Sequence, residues 1–150
     1  MIQIKNAKPE DSEVLFKLIK GLAMHHHQLQ NLKTNPDMLA KALDDNNNKF
    51  EVLLAYYQNE IAGYLSYYNN YSIWLGKNYL YVDDVFILEK FRSKKIGKAL
   101  MNRIKEIGKH LEIDSIRWEV EVDNTRAIKF YTNLGADLYN KGIFKWNISK

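Results

Sequence analysis

The chain of 150 residues contains no cysteine, which excludes disulfides, thiolate metal sites and a cysteine nucleophile. No apolar run approaches the ~18 residues that a membrane-spanning helix needs. The opening segment MIQIKNAKPED lacks the apolar stretch of a signal peptide, so the expectation is a soluble, cytoplasmic protein without a membrane partner. Phosphate-loop and dinucleotide fingerprints, GxxxxGK(S/T) and GxGxxG, are both missing, which makes nucleoside triphosphates and nicotinamide dinucleotides poor candidates. Zinc spacings such as HExxH and C-x-x-C are missing too. Charge of one sign is also scarce: 22 basic side chains face 18 acidic ones, for a formal +4. Without a basic stripe, nucleic acid is not the expected partner.

What is present reads as one globular domain over residues 1–150, with 46% hydrophobic and 27% charged residues. IQIKNA (2–7) predicts a strand. Pro9 and the acids Glu10, Asp11 and Glu13 predict a helix start, and Leu15, Leu18, Ile19 and Leu22 follow at helical spacing. Asn35 and Pro36 predict a second, shorter helix, ended by the asparagines at 46–48. FEVLLAYY and IAGYLSYY flank QNE and predict a hairpin. KNYLYVDDVFIL predicts a third strand, and KIGKALMNRIKEIGKHL a helix with Ile96, Leu100, Ile104, Ile107 and Leu111 on one face. SIRWEVEV alternates and predicts a strand. DNTRAIKFYTNLGA predicts a helix capped by Asn124 and stopped by Gly135. GIFKWNIS predicts a closing strand, with room for a further short one near Asp137. The order β-α-α-β-β-β-α-β-α-β places the chain in the α/β class with a mixed sheet.

FRSKKIGKAL (91–100) stands where a strand gives way to a helix. A helix start exposes backbone N–H groups that lack partners inside the helix, and its dipole is positive there. Arg92, Lys94, Lys95 and Lys98 add formal charge. One reading is a pyrophosphate site for a nucleotide-like cofactor; the other is a set of solvated lysines. Asp83 and Asp84 are adjacent in an apolar strand. Neighbouring strand residues face opposite sides, so at least one carboxylate points to a covered face unless a bulge re-aims it. Such a pair marks either a site or a structural ion pair. Glu119 and Glu121 share one face of the next strand and either extend an acidic cleft or face solvent. His25, His26 and His27 are consecutive and diverge around a helix, so no metal site is expected.

The run VDDVFILEKFRSKKIGKALMNRIKEIG followed by IRWEVEVDNTRAIKFYTNLGA resembles the GNAT superfamily of acetyl-CoA-dependent N-acetyltransferases. Arg92 and Gly97 fit the family's (Q/R)-x-x-G-x-(G/A) loop, whereas Lys95 stands at its first glycine. The pattern N-x-x-A-x-x-F-Y-x-x-x-G-(A/F) is met in full from Asn124 through Ala127 and Tyr131 to Ala136. LIKGLA, WLGKNYLYVDDVF and IRWEVEVDNTRAIKFY carry a finer resemblance to the diamine (spermidine/spermine) acetyltransferases.

The resemblance implies a single-domain GNAT fold: a mixed, mostly antiparallel sheet flanked by helices, with splayed central strands. It implies acetyl-CoA as co-substrate, its pyrophosphate on the turn of Arg92, Ser93, Lys94, Lys95, Ile96, Gly97 and Lys98. The pantetheine arm would pair with the backbone of Val85, Phe86 and Ile87, and Asn124 and Ala127 would help to hold the cofactor. Tyr131 matches the tyrosine that protonates the leaving thiolate. The acidic pair matches one that faces a polyamine and helps to remove its proton, a role falling first to Asp83, with Asp84, Glu119 and His26 as substrate contacts. His25 and His26 replace a tyrosine–glutamate pair at the substrate entrance. A homodimer with packed or exchanged C-terminal strands is implied as well. The expected reaction is acetyl transfer by direct attack of the primary amine of a small polyamine-like or amino-acid substrate. The alternatives are acetylation of a protein N-terminus or lysine, and a non-catalytic acetyl-CoA-binding domain.

Overall fold

The computed structural model describes residues 1–44, 46 and 50–149. These fall into two compact units, Met1–Trp118 and Glu119–Lys150. The first unit holds a five-stranded sheet in the order β1-β2-β3-β4-β5. Its strands are β1 (Ile2–Asn6), β2 (Glu51–Tyr57), β3 (Glu60–Ser72), β4 (Lys77–Ile87) and β5 (Ile116–Arg117). The first four run antiparallel to their neighbours, and β5 lies parallel to β4. The turn between β2 and β3 has two residues, Gln58 and Asn59, both with positive φ. That is the turn whose twist matches a hairpin.

Helix α1 (Ser12–His25) and the short α2 (Pro36–Ala42) cover one face of the sheet. Leu15, Leu18, Leu39 and Leu43 pack there with Val52, Leu54, Tyr64 and Phe86. Strand alternation sends Leu53, Leu65 and Leu80 to the other face, where α3 (Ile96–His110) supplies the buried Ile96, Leu100 and Ile104. Pro9 opens a short 3-10 turn, Pro9–Asp11, that leads into α1. Asn35 caps α2 as its side chain accepts the Met38 N–H at 2.9 Å. That helix already ends at Ala42; of the asparagines expected to end it, Asn47 and Asn48 lie outside the described residues.

The second unit contains α4 (Thr125–Asn133). Asn124 accepts the Ala127 N–H at 3.2 Å, and Gly135 ends the helix with φ of 96°, as its pattern predicts.

Two expectations fail. SIRWEVEV forms a strand over only two residues, paired as Leu80↔Ile116 and Tyr81↔Arg117. Beyond Tyr81 strand β4 carries a bulge in its ladder with β3, and bulges bend the strand that carries them. GIFKWNIS forms no strand, nor does the region of Asp137. Phe144, Trp146 and Ile148 have the alternation of a strand but stand almost wholly exposed. Alternation states which side chains could share a face; a strand also needs an edge to pair with.

Candidate active site

The site is built around the bulge on β4. Leu65 pairs with Val85 and Ser66 with Asp84, but Tyr67 pairs with Val82. Asp83 is therefore the extra residue. Directly paired residues share a face, so Val82 and Val85 point to the α3 side with Tyr67 and Leu65. Asp84 and Phe86 point to the α1 side with Ser66 and Tyr64. The bulge thus resolves the acidic pair: Asp83 is exposed and Asp84 half-buried.

Asp84 is held from β3. Its backbone N–H donates to Ser66 Oγ at 3.1 Å, replacing a ladder bond that the bulge removes. The Ser66 hydroxyl in turn reaches Asp84 Oδ2 at 3.5 Å. Tyr64, only 1% exposed, has a hydroxyl with no hydrogen-bond partner, and it lies on the same face as Ser66, diagonal to Asp84 across the strands. Burial pushes the Asp84 carboxyl above its ordinary range and the neighbouring Asp83 adds to this, while Tyr64, Ser66 and His26 work in the opposite direction. The phenols of Tyr64 and Tyr68 are raised first by burial and then by the acidic pair.

The end of α1 meets this face. The His25 ring lies 6.3 Å from that of Phe86 and 5.3 Å from that of His26. Partial desolvation holds the His25 imidazole below its usual range, and the Arg92 guanidinium adds to this. His26 stands within electrostatic reach of Asp84. His27 lies past the helix with φ of 55°. Among the described residues no cluster of His, Asp or Glu is placed to hold a metal ion.

The cofactor turn follows β4 directly. Beyond Tyr81↔Arg117 the β5-facing edge of β4 carries no strand ladder among the described residues, and Val85, Phe86 and Ile87 lie along that stretch. Gly63 lets β3 press against this stretch, since a Cβ there would stand 2.3 Å from the Phe86 carbonyl oxygen. Phe91 is buried and its ring packs 5.9 Å from that of Tyr57. Arg92 Nε donates to the Ile87 carbonyl at 3.2 Å, which ties the turn back to the strand. Ser93 and Lys95 both have left-handed backbones, with φ of 66° and 65°. For a non-glycine residue this costs roughly 1–2 kcal/mol. Lys95, which stands at the family's first glycine, thus adopts a backbone that favours glycine. Ile96, Gly97 and Lys98 then open the 15-residue α3, so their N–H groups lack an acceptor one turn earlier. Ser93, Lys94, Lys95 and Lys98 are exposed. An exposed basic turn of left-handed residues at a helix start fits a pyrophosphate.

The remaining sequence-derived residues lie in the second unit. Tyr131 sits half-buried on α4, its phenol raised by burial, with the Phe130 ring 5.2 Å away. Asn124 and Ala127 form the α4 cap. Glu119 and Glu121 are exposed in irregular chain, because the strand expected to display them stops at Arg117.

The sequence profile described as the acetyltransferase (GNAT) family matches residues 20–136. The chain belongs to the GNAT acetyltransferase family. Over 81 residues, 54% of this chain, it is 31% identical to the L-ornithine N5-acetyltransferase NATA1 of Arabidopsis thaliana. That match spans only 36% of the plant protein. It is 27% identical over 129 residues to the thialysine N-epsilon-acetyltransferase of Caenorhabditis elegans, covering 86% of this chain and 79% of the relative. An aminoglycoside acetyltransferase, meta-AAC0020, from an uncultured soil metagenomic sample superposes with a TM-score of 0.83. It covers 99% of this chain and 97% of that one at 19% identity, a likeness of fold. This member of the GNAT family thus has a five-stranded mixed sheet, and its family implies acetyl-CoA as co-substrate. No helix among the described residues is long and apolar enough to cross a membrane.

Sequence reasoning missed Tyr64, Ser66 and Tyr68 as neighbours of the acidic pair. In IAGYLSYY they read as hairpin residues. Only the hydroxyls at 64 and 66, two polar atoms at positions of one buried face, hinted otherwise.

Proposed function

We propose that this enzyme acetylates the primary amine of a small polyamine-like or amino-acid substrate by direct attack on acetyl-CoA. The observation that carries this reading is the acidic pair at the β4 bulge, one turn of chain before the basic helix start. The carboxylates attract a cationic amine, and one of them takes its proton so that the nitrogen lone pair is free. Backbone N–H groups of the turn hold the cofactor's phosphates, and Lys95 or Lys98 adds charge toward them. The β4 edge at Val85, Phe86 and Ile87 offers backbone groups to receive the pantetheine arm and the developing oxyanion. Tyr131 donates its phenolic proton to the departing sulfur, and Asn124 with Ala127 keeps α4 in shape. Glu119 and His26 line the amine's approach. The relatives' activities, on ornithine and thialysine, support an amine of this size and charge. All of residues 1–150 form one functional domain in this reading, at work in the cytoplasm.

Titration with acetyl-CoA is expected to shift the backbone amides of Ser93, Lys94, Lys95, Ile96, Gly97 and Lys98, and a panel of diamines, polyamines and basic amino acids to yield acetylated product. Unmoved amides at saturating cofactor would remove the cofactor assignment. Shifted amides without product from any amine would leave a binding domain.

A homodimer is part of the same reading. The exposed Phe144, Trp146 and Ile148 supply the alternating face that an exchanged or packed C-terminal strand requires, and large exposed apolar side chains in series are costly in a monomer. Sedimentation equilibrium is expected to give twice the 17.7 kDa chain mass. A monomer mass at every concentration would refute the dimer.

A further inference from the structure

The Tyr64 hydroxyl has no structural account. It sits in the core, 1% exposed and without a hydrogen-bond partner of good geometry. Leaving such a donor unsatisfied costs ~1–3 kcal/mol, which phenylalanine at the same place would avoid. Tyr64 belongs to the α1-side core with Phe86, its partner across the strands. Asp84 is the next residue on that face. Ser66, also buried, binds both the backbone and the carboxyl of Asp84. One hydroxyl of β3 therefore binds the Asp84 carboxyl, and a second, buried and without a partner, stands beside it on the same face.

The geometry points to Tyr64 and Ser66 as positioning residues that hold the Asp84 carboxyl at the bulge, making Asp84, and not the exposed Asp83, the group that takes the proton from the incoming ammonium. This rests on the acetyltransferase reading above and moves the role that the resemblance placed first on Asp83. The step balances simply. One N–H proton of the ammonium passes to an Asp84 carboxylate oxygen, and the nitrogen keeps the electron pair that forms the new C–N bond. Asp84 becomes neutral and later returns the proton to solvent. Asp83 remains a charge that attracts the substrate.

Several groups face Asp84. From β3 come Tyr64, Ser66 and Tyr68, from β4 Asp83, and from the end of α1 His26, with His25 beside it. Desolvation makes Asp84 the stronger base of its kind, better matched to an ammonium proton. The two hydroxyls oppose that effect and keep the carboxylate form available.

These directions set the test. The acid limb of kcat/KM is followed against pH with an amine that the panel identifies. The Asp84 carboxyl carbon is followed by NMR in the free protein, assigned through Asp84→Asn. Tyr64→Phe keeps the ring and should move both the limb and the carboxyl titration to higher pH, with kcat/KM below the limb reduced about tenfold, the size of one hydrogen bond to a charged group. Ser66→Ala should act in the same direction, and Asp83→Asn in the opposite one, since it removes a like charge. A Tyr64 that only packs would change stability and leave both titrations in place, which would overturn the proposal. A carboxyl that moves while the limb stays would place the proton acceptor elsewhere and overturn it too. If no amine reacts, the small-amine reading fails on the panel, and the carboxyl titration still decides whether the two hydroxyls hold Asp84.

Discussion

Tyr131→Phe is expected to lower the turnover number by on the order of 10²–10⁴-fold, the usual contribution of a positioned general acid. The phenol is half-buried and raised by burial, so it carries its proton at neutral pH and is able to give it to a thiolate. Its reference value near ~10 is close to that of a thiol, and transfer in that direction is not steeply uphill. The substitution removes one oxygen and keeps the ring that packs beside Phe130. Acetyl-CoA affinity should therefore stay nearly constant. Steady-state kinetics with a direct measurement of cofactor dissociation separates the two quantities. Full turnover in Tyr131→Phe would reduce this tyrosine to packing.

Asp84→Asn is expected to cost a similar factor in turnover, ~10²–10⁴, while stabilising the protein at neutral pH. Asparagine keeps the shape and an oxygen for Ser66 but cannot accept the ammonium proton. The stability effect follows from linkage. Burial raises the Asp84 carboxyl in the folded state, whereas in the unfolded chain it titrates near ~4. The folded state thus holds the proton more tightly. The stabilisation from that proton is fully present below ~4 and is lost as pH rises through the folded value. Above that value the wild type keeps a desolvated charge, which Asp84→Asn removes. Thermal melts from acid to neutral pH should show the variant gaining on the wild type as pH rises. A variant with unchanged turnover, or with no relative gain in stability, would return Asp84 to an ordinary half-buried carboxylate.

Much of this protein is decided by its sequence alone, because much of it is local. Asn35 and Asn124 cap helices through their own side chains, three residues along the chain, and such bonds need no partner from elsewhere. The hairpin at Gln58 and Asn59 and the stop at Gly135 are likewise set by short-range backbone geometry. The amphipathic face of α3 follows from spacing: Ile96, Leu100 and Ile104 are buried and Ile107 half-buried, whereas Leu111, past the helix end, is exposed. Even the left-handed Lys95 was legible, as a lysine standing in the place of a glycine.

Tertiary structure decided what depends on pairing between distant segments. Whether Asp83 or Asp84 faces the α1 side turns on one extra residue opposite Ser66 and Tyr67. A shift of one residue exchanges the faces of a strand, and no pattern within β4 reveals it. The short β5 shows a related limit: its alternation ran on to Val122 while its pairing ended at Arg117. GIFKWNIS shows the same limit, since alternation does not supply an edge. The meeting of the Ser66 hydroxyl with Asp84 joins residues 18 positions apart through strand register, which also sets Tyr64 on the same face. A buried donor becomes a candidate positioning group only when its neighbour across the sheet is known.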